Sequence, residues 1–201
     1  VARAREAYQS CNLCDRRCGV DRRIQRGFCG LGMDAHVHRV STSVGEEAEL
    51  SPACLVYLGG CSLRCAFCLS GSMVDEPASV PEANLDDVAN RIRGSLEGGA
   101  RCWEVLGGDP SVNVLAVLEL AERLPAHAHL AWNTNLLHAP DLVDLVDGVV
   151  DTWMVDVKFG TDDCARRLAG VAAYLETVER NLRDLVRRRA NILVRHVVMP
   201  G

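Results

Sequence analysis

Short apolar runs alternate with amphipathic segments along most of the chain, and this alternation limits the fold more than any other feature of the sequence. The apolar runs predict five strands: CLVYLGG from residue 54, CWEVLGG from 102, HLAWNTN from 129, DTWMVDVKFG from 151 and NILVRHVVMPG from 191. Five strands separated by helices predict an α/β fold with a parallel sheet and right-handed crossovers, either open and doubly wound or curved into a barrel. In both arrangements the site lies at the carboxyl ends of the strands.

The segments between the runs carry helical spacing. Asn84 caps the first of them, in which Leu85, Val88, Ile92 and Leu96 recur at helical intervals. We predict further helices at about residues 112–124, near 141–146, and from the fourth strand to about 189, the last broken near residue 170.

Composition narrows the class of protein. With 201 residues, 48% of them hydrophobic and 24% charged, the chain suits one globular body. The longest mostly apolar stretch without a charge, residues 50–63, is too short for a membrane span, and no secretory signal is evident, so we expect a cytoplasmic protein without a membrane partner. Ten clustered cysteines favour metal ligation in a reducing compartment over a secreted disulfide scaffold.

Positive and negative charges are distributed unevenly along the chain. Residues 1–40 hold eight arginines against four acids, so with a total of −5 the other 161 residues carry −9. We therefore predict a Cys-rich N-terminal extension over 1–50 and a main domain over 51–201. The basic segment lacks interleaved aromatics and a reading motif, so we do not expect nucleic-acid binding.

A cysteine loop follows the first predicted strand. Cys61, Cys65 and Cys68 have the spacing C-x3-C-x2-C. Three soft thiolates close together suit a cubane iron–sulfur cluster and leave one of its irons open. A structural zinc site would require a fourth ligand from the protein.

This loop, with Phe67 as the aromatic residue before its last cysteine, resembles the radical S-adenosylmethionine (SAM) superfamily. The resemblance implies a [4Fe–4S] cluster that binds SAM, reductive cleavage of SAM to a 5′-deoxyadenosyl radical, and a partial (β/α)6 barrel. The N-terminal CNLCDRRCGVDRRIQRGFCGLG is similar to the subgroup related to the pyruvate formate-lyase-activating enzyme. A six-strand barrel also leads us to expect a further helix and strand beyond Gly201.

The second predicted strand ends in Gly107, Gly108, Asp109 and Pro110. In the superfamily a GGEP-like motif here receives the SAM amino group, and this chain has Asp109 where the family usually has Glu. Two glycines let the backbone approach a ligand, and an acid accepts hydrogen bonds from an ammonium group.

The fourth predicted strand carries the only lysine of the chain. Met154, Asp156 and Lys158 alternate with apolar residues and so share one face. An inward ion pair is costly unless it serves a ligand, although a structural salt bridge remains the alternative. In the activating-enzyme group the matching D-x-K contacts SAM.

Asn133, Thr134 and Asn135 resemble the D-T-N of the same group. There this triplet, with the Met and Asp of the next strand, here Met154 and Asp156, forms a monovalent-cation site beside SAM. In this chain Asn133 replaces the acid of that site.

The last predicted strand contains Arg195 and His196 on opposite faces. We expect Arg195 to point inward and bind a carboxylate or ribose, because arginine stays charged and offers several donors. We expect His196 to pack.

Four more cysteines, Cys11, Cys14, Cys18 and Cys29, lie in the N-terminal segment with the spacing C-x2-C-x3-C-x10-C. They fit a zinc site, a second Fe–S cluster, or redox-active or unliganded thiols, and the spacing does not decide among these. The nearby His36 and His38 could substitute as ligands, but we expect them to be loop residues.

The remaining cysteines stand alone. We expect Cys54 and Cys102 to pack as small apolar residues. Cys164 follows the fourth predicted strand on the site side, where a thiol could give a hydrogen atom to a substrate radical or simply begin a helix.

These features predict a radical enzyme that acts on a small molecule, such as a sugar that it epimerises, with a flavodoxin- or ferredoxin-type electron donor. The first alternative is an activase whose substrate is the polypeptide of a glycyl-radical enzyme. The second is a non-enzymatic Fe–S or zinc protein for electron transfer or binding.

Overall fold

The computed structural model describes residues 1–198. These residues form an α/β fold around one six-stranded sheet, with the strands in the order β1 to β6. The strands are β1 Val37–Ser43, β2 Ala53–Leu58, β3 Cys102–Gly107, β4 Leu130–Thr134, β5 Thr152–Val157 and β6 Ile192–His196. Strands β2 to β6 run parallel to one another, whereas β1 pairs antiparallel with β2.

The α/β class and the five parallel strands are confirmed, and β1 is an addition that the sequence pattern did not reveal. Its residues VHRVSTS hold few apolar side chains, and only Val40 is fully buried. An edge strand with one half-exposed face gives a weak pattern. His38 lies in this strand, so its expected place in a loop was wrong. The curvature of the sheet into a partial barrel stays a prediction. The predicted last strand extends to Gly201, but Met199, Pro200 and Gly201 lie outside the described residues.

Seven α-helices accompany the sheet in residues 1–198. They are α1 Ala2–Ala7, α2 Gly71–Asp75, α3 Leu85–Glu97, α4 Val114–Arg123, α5 Asp141–Leu145, α6 Asp162–Ala169 and α7 Tyr174–Arg187. Asn84 caps α3, accepting hydrogen bonds from the amides of Asp86 and Asp87. The predicted break near residue 170 is present, because Gly170 adopts φ +64 and ends α6. The helix predicted from about residue 112 starts as a 3-10 turn, Pro110–Asn113, before α4.

The helices pack on one face of the sheet. The core there includes Trp103, Trp132 and Trp153 from the strands, with Ile92 and Leu185 among the helical residues. The other face holds a smaller apolar cluster without helical residues: Leu50, Ala53, Leu55, Cys102, Ala131 and Met154. By strand alternation Glu104, Asn133, Asp156 and Arg195 share the helix-free face with this cluster.

The N-terminal segment shares the main core. Ala4, Tyr8, Cys11 and Leu13 are buried in the same cluster as the sheet residues. The boundary between residues 50 and 51 stays a prediction. Within the described residues, no helix is both long and apolar enough to cross a membrane.

Candidate functional site

Three cysteines leave β2 together and differ in exposure. Cys61 is buried, Cys65 is half-buried and Cys68 is exposed. The amide of Leu63 and the side-chain amide of Asn135 each donate to the Cys61 sulfur at 3.4 Å. Such donors suit a thiolate better than a thiol. Burial raises the pKa of Cys61 and raises that of Cys65 to about 11, so both thiols are neutral until a metal displaces their protons.

The rest of the protein holds this loop in place. The Ala66 amide donates to the Leu168 carbonyl of α6 at 2.7 Å. Arg64 donates to the carbonyl of Cys61 at 3.0 Å and to that of Phe28 at 2.7 Å. The loop is therefore attached both to the helix layer and to the N-terminal segment.

A cavity of about 490 Å³ opens beside the loop at the carboxyl ends of the parallel strands. Its walls come from the cysteine loop, from the ends of β2 to β5 and from the start of α2. The predicted site residues that line it are Cys61, Cys65, Phe67, Cys68, Gly107, Gly108, Asp109, Asn133, Thr134, Asn135, Asp156 and Lys158. Tyr57, Leu63, Val74 and Leu106 add an apolar wall that the sequence reading did not assign.

The end of β3 requires both of its glycines. Gly107 has φ +102, in the left-handed region. A Cβ on Gly108 would lie 1.7 Å from the Gly60 carbonyl oxygen, so only glycine lets the ends of β2 and β3 approach this closely. Pro110 follows as the buried first residue of the 3-10 turn.

Asp109 connects the ends of β3 and β4. Its carboxylate is 1% exposed and accepts hydrogen bonds from the amides of Ser111 at 2.8 Å and Asn135 at 2.9 Å, and from the Thr134 hydroxyl at 3.2 Å. Burial raises the pKa of Asp109, and these hydrogen bonds oppose that rise. The carboxylate is thus largely occupied in shaping the cavity wall.

Asn133 has a partner that the sequence reading did not assign to the site. Its side-chain amide donates at 2.8 Å to Glu104, a β3 residue that is 0% exposed. The second Glu104 oxygen has no hydrogen-bond partner among the described residues. Burial raises the pKa of Glu104 to about 7, although the Asn133 amide opposes this. The acid in the middle of the apolar run CWEVLGG was the signal that could have revealed it.

Asp156 and Lys158 form an ion pair at the cavity wall. The ammonium donates to Asp156 at 3.0 Å, and both side chains are about one fifth exposed, 21% and 22%. Arg195 donates to the other carboxylate oxygen at 2.8 Å and lies 3.5 Å from Glu47. Burial opposes ionisation of Asp156, but its two cationic partners outweigh burial and lower its pKa.

Arg195 and Met154 lie behind the cavity wall. Arg195 shares a sheet face with Asp156. His196, on the opposite face, is exposed, so its expected packing was wrong, and its Nδ1 pairs with the Val157 carbonyl at 2.6 Å. In residues 1–198 neither Arg195 nor Met154 lines the cavity, and Met154 is buried in the helix-free cluster. Arg195 is therefore placed to orient Asp156.

Cys164 lies in a second cavity of about 590 Å³. Phe67 and Lys158 line this cavity as well as the first, so the two cavities share a wall. Thr161 caps α6 and accepts a hydrogen bond from the Cys164 amide at 3.2 Å, which fixes the first turn of the helix. The thiol is thus adjacent to the main cavity but not in it.

The N-terminal cysteines lie outside both cavities. Cys11, Cys14 and Cys29 are buried and Cys18 is exposed. Ring nitrogens of His36 and His38 pair with the carbonyls of Val80 at 3.0 Å and Pro77 at 3.1 Å. Neither histidine directs that nitrogen toward the cysteines.

The residues around the main cavity fit a [4Fe–4S] cluster and SAM by their chemistry. In residues 1–198 no three His, Cys, Asp or Glu side chains are arranged as a preformed metal site. The fit rests instead on the donor set. Three thiols face a cavity whose wall also offers an ammonium group, a carboxylate and side-chain amides, which match the charged and hydroxyl groups of SAM.

The comparisons with known proteins agree with this chemistry. Residues 55–201 match the radical SAM superfamily. A protein of Methanocaldococcus jannaschii named Uncharacterized protein MJ0674 is 29% identical over 204 residues, which cover 98% of this chain. The chain spans 59% of the length of that relative. Since the superfamily match covers most of the chain and begins just before the cysteine loop, this chain belongs to the radical SAM superfamily.

Proposed function

We propose that this protein is an enzyme that cleaves SAM reductively at a [4Fe–4S] cluster held by Cys61, Cys65 and Cys68, and that it abstracts a hydrogen atom from a small-molecule substrate. The observation that carries the proposal is the cavity that brings these thiols to the same space as Asp156 and Lys158. When bound, the cluster and SAM supply the electron-transfer chemistry that generates a 5′-deoxyadenosyl radical.

The side chains of the cavity bind and orient SAM in this proposal. Lys158 presents an ammonium group for the SAM carboxylate, and Asp156, kept ionised by Lys158 and Arg195, accepts from a ribose hydroxyl or the amino group. The apolar residues Tyr57 and Leu106 restrict the access of water to the part of the cavity in which the radical would form. Positioning of this kind supplies much of the catalytic advantage.

Asn133, Thr134 and Asn135 give the cavity neutral polar groups. The amide of Asn133 is held by Glu104, and that of Asn135 by Cys61. We propose that they, together with Asp156, contact SAM or a monovalent cation beside it. Met154 is buried in the helix-free cluster, and its share in such a site stays a prediction.

Epimerisation is the reaction that the position of Cys164 favours. Its cavity shares Phe67 and Lys158 with the main one, and the proposal requires the substrate to extend past these two side chains so that its radical carbon lies near the thiol. After hydrogen abstraction from the substrate, Cys164 would give its thiol hydrogen atom to the other face of the substrate radical. An external thiol or other one-electron reductant then supplies the electron and proton that restore Cys164.

Two alternatives remain for the test. One is an activase in the subgroup related to the pyruvate formate-lyase-activating enzyme, whose substrate is a polypeptide glycine. The other is a non-enzymatic Fe–S or zinc protein. A purely electron-carrying protein has no use for the ammonium and carboxylate of Lys158 and Asp156 beside its cysteines, and this supports an enzyme.

The experiment is anaerobic reconstitution with iron and sulfide, reduction by dithionite or by a flavodoxin-type donor, addition of SAM and measurement of 5′-deoxyadenosine. We expect 5′-deoxyadenosine from the wild type and none from the Cys61→Ala variant. The matched control is Cys54→Ala, a buried strand cysteine outside the cavity, which should retain the product. Absence of 5′-deoxyadenosine from a protein with an intact cluster would refute the proposal that the protein is a SAM-cleaving enzyme.

The substrate class is tested with deuterated sugars and with a glycine-containing peptide. Transfer of deuterium into 5′-deoxyadenosine from a sugar supports the proposal, and transfer from the peptide alone supports the activase. For epimerisation, Cys164→Ala should keep deuterium transfer but lose incorporation of solvent hydrogen into the product. Unchanged incorporation would remove Cys164 from the mechanism.

A further inference from the structure

The four N-terminal cysteines lie on two turns of the chain, the first of them a wide one over residues 11–20. The first turn is closed by hydrogen bonds from the Cys11 amide to the Val20 carbonyl at 2.9 Å and from the Gly19 amide to the Cys11 carbonyl at 3.0 Å. Cys14 and Cys18 lie within it. The second turn is closed by the Gly30 amide donating to the Gly27 carbonyl at 2.9 Å, and it carries Cys29.

The two turns bring the Cys18 and Cys29 sulfurs near one point, although in residues 1–198 no three His, Cys, Asp or Glu side chains are arranged as a preformed metal site. A Cβ built on Gly27 would lie 3.2 Å from the Cys18 sulfur and 3.5 Å from the Cys29 sulfur, so glycine leaves room for both at this point. The Cys18 sulfur lies 3.8 Å from the Cys11 carbonyl oxygen, and Cys14 and Cys29 pack in one small buried cluster. We call Cys11, Cys14, Cys18 and Cys29 the thiol cluster.

A buried positive charge faces the thiol cluster without an anionic partner. Arg22 is 3% exposed, and in residues 1–198 no carboxylate lies within 4.0 Å of its guanidinium. One terminal nitrogen donates to the Val112 carbonyl at 2.8 Å, and its Nε has no partner among the described residues. The acidic groups that act on its charge are the Tyr8 hydroxyl and the thiols of Cys29 and Cys11.

The Tyr8 ring below Arg22 does not balance this charge. The guanidinium carbon lies 4.0 Å from the ring centroid, a cation–π contact. The Tyr8 hydroxyl donates to the Val112 carbonyl at 3.3 Å and is therefore protonated and neutral. Since arginine does not lose its proton in proteins, a buried guanidinium requires an anion nearby to offset its desolvation.

From this arrangement we infer that the thiol cluster binds a thiophilic metal centre through four cysteine thiolates, with Arg22 as its buried counter-cation. Four thiolates around Zn²⁺ or around a [4Fe–4S] cluster carry a net negative charge in either case. The donor set and the charge balance are shared by both centres, and the experiment distinguishes them.

The competing explanation is that the cysteines pack as small apolar residues and that Arg22 is held only by Tyr8 and Val112. This explanation predicts no bound metal. It also predicts that Cys18, which is exposed, reacts freely with alkylating reagents.

The test uses a variant that lacks the radical SAM cysteines, Cys61→Ala/Cys65→Ala/Cys68→Ala, so that any metal reports on the thiol cluster alone. After anaerobic purification and incubation with zinc or with iron and sulfide, elemental analysis should find about one zinc, or about four irons with sulfide, per chain. Adding Cys14→Ala should lower this content by about tenfold or more. Cys102→Ala is the control, since this buried cysteine lies outside the cluster and should leave the content unchanged.

Alkylation followed by mass spectrometry covers the case in which the Cys14 variant does not fold. In the metal-loaded triple variant, Cys18 should resist iodoacetamide and become reactive after removal of the metal by a chelator. Cys164, half-buried and outside the cluster, should react equally before and after. Arg22→Met should lower metal affinity by about tenfold, and Arg22→Lys should restore part of it.

Binding of zinc alone, or of iron with sulfide, would support the inference and would identify the metal centre. A triple variant that binds neither, or whose metal content and Cys18 reactivity ignore the Cys14 substitution and the chelator, would overturn it. Neither readout depends on SAM cleavage, so this inference and the proposed function can fail independently.

Discussion

Replacement of Glu104 by glutamine tests the electrostatics beneath the main cavity. Glu104 is 0% exposed, accepts one hydrogen bond from Asn133 at 2.8 Å, and has a second oxygen without a partner among the described residues. Burial raises its pKa from the ordinary 4.5 to about 7. Glutamine keeps the size and the acceptor for Asn133 but cannot ionise.

The magnitude follows from the two pKa values. Between pH 4.5 and about 7 the folded protein holds a proton on Glu104 that the unfolded chain has released, so the free energy of unfolding falls as pH rises. The difference between the pKa values corresponds to about 3 kcal/mol, present at acid pH and lost above the folded-state pKa. We expect Glu104→Gln to match the wild type near pH 5 and to be more stable near pH 8, by up to about 3 kcal/mol.

The assay is urea denaturation of both proteins from pH 5 to pH 8. Glu97→Gln, an exposed glutamate on α3, serves as the control and should show no pH-dependent difference from the wild type. A Glu104→Gln variant that differs from the wild type by the same amount at every pH, or that loses stability at pH 8, would refute the reasoning.

Two further substitutions test the cavity wall. Gly108→Ala should destabilise the protein by about 3 kcal/mol or more in urea denaturation, because its Cβ would collide with the Gly60 carbonyl, while Gly94→Ala in the open interior of α3 should stabilise by up to about 1 kcal/mol. Equal effects at the two glycines would contradict this. Lys158→Ala should weaken SAM binding by about tenfold in equilibrium dialysis yet change stability by less than about 1 kcal/mol, because Arg195 still pairs with Asp156 at 2.8 Å. Unchanged SAM affinity in this variant would exclude a contact between Lys158 and SAM.

Strands β2 to β5 could be predicted because each is a short run of mostly buried residues, and β6 because it contains the apolar run Ile192–Val194, although none of its residues is fully buried. The β1 strand could not, since VHRVSTS gains its structure by pairing with β2 and shows one fully buried residue. The break between α6 and α7 was predictable, because Gly170 supplies a left-handed residue that few others adopt.

The residues of the candidate site likewise include some that the sequence could predict and some that it could not. Strand alternation predicted that Asp156 and Lys158 share a face, and the structure pairs them at 3.0 Å. Alternation could not predict that Arg195 would bind Asp156 and Glu47 behind the cavity wall, because Glu47 comes from the loop between β1 and β2. Contacts between distant segments decide which polar residues face a ligand and which support it.

Asp109 shows the same limit. The motif GGDP predicted an acid at the end of a strand, where an acid can accept from a ligand. The structure directs its oxygens to Ser111, Thr134 and Asn135, so the residue closes the gap between two strand ends. The sequence position was informative, whereas the hydrogen-bond partners depend on how the strands approach.

The most direct test of the central claim is electron paramagnetic resonance of the reduced, reconstituted protein with and without SAM. If Cys61, Cys65 and Cys68 hold a cluster with one iron open to the cavity, SAM should change the cluster signal, and Lys158→Ala should require a higher SAM concentration for the same change. The signal that responds to SAM should be absent from the Cys61→Ala/Cys65→Ala/Cys68→Ala variant. A cluster signal from these cysteines that SAM leaves unaltered would contradict the account.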